Sequence, residues 1–134
     1  MFIEEFNKTI PVEGTDIKLS VTVKFDMDCY TRVGYIQVIN GTQEFLELAE
    51  DACHEYMHGG VTYETEDTWG FDCDHSDDGP DVESALEYGV DDTTMYHAMI
   101  VDSYKNEWET RTLEYCKRNI LEVLTALRTL YRGM

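Results

Sequence analysis

Four side chains have the types and spacing to do chemistry together: His58, Cys73, His75 and Cys116. Cys73 and His75 are separated by one residue in the run TWGFDCDH. Side chains alternate along a strand, so Phe71, Cys73 and His75 share a face if the strand reaches that far. A thiol and an imidazole beside an aromatic anchor are the makings of a metal site or a nucleophile pair. A structural zinc takes four Cys and His donors in tetrahedral array. His58, Cys73, His75 and Cys116 supply such a set, with His54 and Cys53 as further donors, although the spacing is not that of a standard zinc finger. The expectation is one structural zinc. The plainer alternative leaves the cysteines as small core residues and the histidines on the surface.

A nucleophilic Cys73 with His58 or His75 as base and an aspartate as orienter is a second chemistry. The neighbourhood opposes it, because nearby carboxylates raise a thiol pKa and disfavour the thiolate. There is no nucleophile elbow, phosphate loop or HExxH motif. A metal with three protein ligands would still leave a position for water, so a metal-dependent hydrolase stays as the alternative. The carboxylates Asp72, Asp74, Asp77, Asp78 and Asp81 lack the ligand order of a calcium-binding EF-hand loop. They are expected in an exposed acidic loop that meets a partner.

The charge is unevenly placed. The net charge is −18, yet no Lys or Arg occurs from Val33 to Tyr104, where 18 carboxylates lie; elsewhere ten acids balance ten bases. A block without cations repels nucleic acid and attracts a basic partner, accelerating their encounter. The start, MFIEEFNKT, lacks the features of a signal peptide. No apolar run approaches the roughly 20 residues of a membrane span. The expected location is the cytoplasm, where cysteines are thiols or metal ligands rather than disulfides.

These residues need elements to position them, and 134 residues suffice for one domain. Residues 2–12 read as a strand. Ile17, Leu19, Val21, Val23 and Phe25 alternate with polar residues in a second, and the two suggest a hairpin. Residues 33–39 read as a third strand ending at Asn40-Gly41. Residues 42–53 suit a short amphipathic helix with Phe45, Leu46, Leu48, Ala49, Ala52 and Cys53 inside. Two strand-like runs, 58–63 and 68–73, follow, then a short helix over 81–88; residues 95–104 fit helix or strand. From Arg111 to Tyr131, apolar residues at spacings of three and four define a long closing helix with Cys116 on its buried stripe. The fold class is α+β, an antiparallel sheet covered by that helix.

HGGVTY (58–63), WGFDCDHSDD (69–78) and TLEYCKR (112–118) together resemble a family of small phage and mobile-element proteins. Its pattern is HGG-apolar-TY, then W-x-GFDC-x-H-x-GD, then a closing helix with an EY dipeptide and often a cysteine. The resemblance covers roughly residues 33–132. The chain departs in having no residue between Trp69 and Gly70, Asp77-Asp78 for Gly-Asp, and Cys116 about one turn early. The resemblance implies that His58, Cys73, His75 and a helix cysteine recur together, which suits a metal. Small acidic phage-borne proteins also resemble anti-CRISPR proteins, many of which bind an RNA-guided nuclease. The function thereby implied is an inhibitor of a host defence nuclease, most readily a type II RNA-guided one. It would carry a structural zinc, occupy a basic surface, and bind neither nucleic acid nor membrane. A protein sequestering a nucleotide signal through Arg111, Lys117 and Arg118 is a further alternative.

Overall fold

The computed structural model describes residues 1–75, 78–90 and 109–133. Three long strands, β1 (Phe2–Pro11), β2 (Lys18–Asp26) and β3 (Thr31–Ile39), are followed by α1 (Gln43–Tyr56). Then come β4 (Tyr63–Glu64), β5 (Thr68–Asp72), β6 (Asp78–Gly79), α2 (Val82–Glu87), β7 (Glu109–Thr110) and α3 (Leu113–Arg132). The main sheet is antiparallel with order β1-β2-β3-β5-β4, and β6 and β7 form a two-residue parallel pair. The α+β expectation holds, with α1 joining α3 on the sheet.

Alternation sets the faces. Leu19, Val21, Val23 and Phe25 of β2 are buried, and register places them beside Val38, Ile36, Gly34 and Arg32 of β3. Trp69 and Phe71 continue that face on β5 opposite Ile36 and Gly34. Gly34 is required there: a Cβ on it would lie 2.4 Å from the Phe71 ring. Phe45, Ala49, Ala52 and Cys53 of α1 and Cys116, Asn119, Ile120, Val123 and Leu127 of α3 close over this face. Fully burying an aromatic or branched side chain contributes roughly 1.5–3 kcal/mol. Both long helices are capped by threonine: Thr42 accepts from the Phe45 N–H at 3.2 Å and Thr112 from the Tyr115 N–H at 3.1 Å.

Arg32 stands at the end of this apolar face with only 2% of its surface exposed. A bulge in β1 between Glu4 and Phe6 changes the strand's parity at Glu5. Glu5 thereby reaches Arg32 through two hydrogen bonds of 2.7 and 3.0 Å. Arg32 also donates to Asp81 at 2.7 Å, to the Ser84 hydroxyl at 3.1 Å and to the Arg111 carbonyl at 3.1 Å. All five guanidinium N–H groups thus have acceptors. Around this ion cluster Phe25, Tyr30 and Ala85 form a second, smaller core.

Two expectations are corrected. Residues 58–63 are not a strand: α1 ends at Tyr56, Gly59 and Gly60 take positive φ, and only Tyr63–Glu64 pairs with β5. His75 does not continue β5, because the strand ends at Asp72 and the Asp74 N–H turns back to the Asp72 side chain at 3.2 Å. The expectation for residues 95–104 falls outside the described residues.

Candidate metal centre

Four segments meet at one point: the turn after α1, the loop after β5, β6, and the first turns of α3. His58 follows the end of α1. Its backbone N–H donates to the Asn119 side chain at 3.0 Å, while the Asn119 amide donates to the Tyr56 carbonyl at 2.9 Å. Asn119, 7% exposed, thereby clasps the end of α1 onto α3 and fixes where His58 begins. The His58 ring lies between two partners. Nε2 is 2.9 Å from both Asp78 oxygens, and Nδ1 is 2.7 Å from the Tyr115 hydroxyl. In the neutral ring this geometry calls for N–H donation from Nε2 to the carboxylate and acceptance at Nδ1 from the phenol.

His75 arrives from the other side. Its Nδ1 is 3.1 Å from Asp78 Oδ2, and its backbone N–H donates to the same oxygen at 3.1 Å. The two imidazole centroids are 5.5 Å apart. Gly59 makes the approach possible: its φ is +66°, and a Cβ there would stand 2.4 Å from the His75 ring.

Asp78 is the hub. Arg111 Nε donates to Oδ1 at 2.8 Å, and the guanidinium also pairs with Glu109 and lies 4.7 Å over the Tyr115 ring. Burial by itself would raise the Asp78 pKa. The hydrogen bonds from Arg111, His58 and the His75 backbone outweigh burial and lower it to about 2. The Tyr115 hydroxyl is shifted upward, chiefly by burial.

Cys73 and Cys116 meet beside this hub with their sulfurs 3.7 Å apart, and both are buried. That distance is far from a disulfide bond, and the thiols are free. The Cys73 pKa is raised, first by its hydrogen bond with Cys116 and then by burial. A buried, protonated thiol is a poor nucleophile, so the cysteine-hydrolase alternative loses its reagent.

The four residues expected to share a zinc therefore arrive as two neighbouring pairs. The His58, His75 and Asp78 donor atoms lie within 4.8 Å of one another; among the described residues no such group contains a cysteine. Asp78, Arg111, Tyr115 and Asn119 are the residues that sequence reasoning missed as members of the site. Asp78 ends the run WGFDCDHSDD and Tyr115 lies in the run TLEYCKR, both singled out in the sequence, so a signal existed for both. Arg111 and Asn119 gave none. The other expected donors go elsewhere: His54 Nε2 lies 3.1 Å from Glu64 on the surface, and Cys53 is a core residue whose thiol burial pushes up to about 12.

The expected acidic loop is also corrected. Asp78 is 2% exposed at the hub, where it pairs with the half-buried Arg111, and Asp81 caps α2 while paired with the buried Arg32. Asp74 is exposed, Asp72 half-buried, and Asp77 lies outside the described residues. Of the cations expected to hold a nucleotide, Arg111 is engaged by Asp78, and Lys117 lies 4.8 Å over the Phe6 ring.

Two surface grooves of about 550 and 490 Å³ flank α3, and neither is lined by a residue of the centre. Among the described residues no helix is long and apolar enough to cross a membrane. Comparison of the chain with protein-family models, with curated proteins and with solved structures finds no match.

Proposed function

We propose that this protein is an acidic inhibitor of the anti-CRISPR kind, docking on a basic surface of a host defence nuclease in the bacterial cytoplasm. One observation carries the reading: the exposed carboxylates of α1 and of the β4–β5 hairpin converge. Glu44, Glu47, Asp51 and Glu55 fall on one stripe of α1, all exposed. Glu50, on the adjoining side of the helix, comes within 4.8 Å of Glu64 on β4 across His54. Glu66, in the turn between β4 and β5, is exposed as well. Such a patch suits the lysines and arginines that otherwise hold nucleic-acid phosphates. The mechanism is steric and electrostatic, and the docking face is α1 with β4 rather than the 72–81 loop first expected. A structural zinc at the His58–Asp78 centre belongs to the same proposal, since it would tie the turn after α1, which carries this face, to the loop after β5 and to β6.

The test is the association rate with a purified type II RNA-guided nuclease. It should fall on the order of tenfold or more as salt rises from about 0.05 to about 0.5 M. Reversal of Glu47, Asp51 and Glu55 to Lys should weaken binding in a folded protein. Reversal of the exposed Glu13 and Asp16, in the turn between β1 and β2, should matter little. Equal loss at both places, or indifference to salt, would reduce the charge to a solubility feature.

The hydrogen-bonded row Asp78–His58–Tyr115 favours a second reading, a metal-dependent hydrolase using the phenol as a proton donor. Tyr115→Phe that abolishes the biological effect while partner binding persists would move the function to catalysis.

A further inference from the structure

We infer that the centre holds one divalent transition-metal ion through His58, His75 and Asp78, with Cys73 and Cys116 outside its coordination sphere. The inference rests on reading the centre as a metal site and is independent of the docking face. Donor atoms bound to one such ion at about 2.0–2.2 Å stand about 3–3.5 Å from one another. Two of the three edges already have that length, His58 Nε2 to Asp78 at 2.9 Å and His75 Nδ1 to Asp78 at 3.1 Å. The third lies within 4.8 Å. The ion would take the place of the protons on His58 Nε2 and His75 Nδ1, each ring staying neutral with its proton on the other nitrogen, so that His58 Nδ1–H would donate to the Tyr115 oxygen.

The surroundings are those of a ligand set rather than of a chance cluster. A metal-binding histidine is normally held by a partner on its other nitrogen, and Tyr115 occupies that place on His58 at 2.7 Å. Ligating carboxylates are themselves hydrogen-bonded, as Asp78 is by Arg111 and the His75 N–H. The open backbone at Gly59 admits the second imidazole. Two imidazoles and a carboxylate suit zinc, and also cobalt, iron or manganese, and leave a position for an exchangeable ligand. The His75 side chain is 30% exposed, so exchange has a route from solvent. The thiols instead meet each other in the core, where Cys116 of α3 packs against Cys73 just after β5.

The experiment is a Co²⁺ titration of the full chain, stripped with chelator and kept reduced. One equivalent should bind with visible ligand-field bands and no intense thiolate-to-cobalt charge-transfer band. His75→Gln should weaken binding on the order of a hundredfold or more. Tyr115→Phe, a positioning change, should cost about 10–100-fold. Cys116→Ala should leave the spectrum unchanged. His75 is the most exposed of the three donors, so its variant keeps the test valid if a buried ligand change fails to fold; circular dichroism confirms the fold. A strong charge-transfer band that vanishes in Cys116→Ala keeps a metal but overturns this donor set. No stoichiometric uptake by the folded protein overturns both the donor set and the metal.

Discussion

At the residue scale, Gly59 and Gly60 separate two effects that a sequence cannot distinguish. Both have positive φ, but a Cβ meets the His75 ring only at Gly59; at Gly60 nothing lies within 4 Å. Alanine at either position pays backbone strain of roughly 1 kcal/mol. Gly59→Ala should therefore destabilise by clearly more than Gly60→Ala, and only Gly59→Ala should shift the His75 ring resonances in an NMR spectrum. Equal perturbation of His75 by both would mean that the ring is not seated against the glycine. The same pair shows what could be read in advance. His58, Cys73, His75 and Cys116 stood out by residue type, and they do converge as neighbours. Their division into a thiol pair and an imidazole–carboxylate group followed from where β5 ends, and strand ends are set by local hydrogen bonds of Asp72 that alternation does not encode. Asp78 was read as solvent-facing because it lies in an acidic run, and its burial depends on Arg111, 33 residues away.

At the scale of elements, Arg32 joins β1, β3 and α2 and touches the backbone before α3. Removing one member of a buried ion cluster leaves uncompensated charge, at a cost of about 3–5 kcal/mol. Arg32→Ala should lower unfolding free energy by that order in urea titrations. Arg32→Lys should recover only part, since one ammonium cannot serve the five acceptors of a guanidinium fork. If Arg32→Ala costs under about 1 kcal/mol, the cluster is not holding these elements together. Glu5 belongs to this cluster because of the β1 bulge. Periodicity revealed the elements well: β2, β3, α1, α2 and α3 lie where alternation and helical spacing placed them, within a few residues. It failed at HGGVTY, where apolar and aromatic residues imitate a strand but two glycines turn the chain.

At the scale of the molecule, two electrostatic effects oppose each other as pH falls. Self-repulsion from a net charge of −18 is relieved first. Asp74, for one, has its pKa raised by burial and by the neighbouring Asp72 and Asp26. Asp78 and Asp81 act the other way, because their folded pKa values lie below the ordinary one near 3.9. Their stabilisation is complete above that value and disappears as pH falls through the folded values, about 2 for Asp78. The melting temperature should therefore rise from pH 7 toward about 5, then fall steeply between about 4 and 2. For Asp78 alone the lost stabilisation is about 2.5 kcal/mol. Asp78→Asn should be less stable at pH 7 and show a shallower acid limb; an unchanged acid limb would show that Asp78 is not the group being titrated. The Arg111–Asp78 contact has a consequence in time as well as in energy. Synthesis runs from the N-terminus, so β1 to β5 are made well before Arg111, Tyr115, Cys116 and Asn119 leave the ribosome. Until then His58, His75 and Asp78 lack the cation and the clasp that hold them, while Asp81 in the same acidic segment already has Arg32. The centre is therefore completed only once the start of α3 has been made.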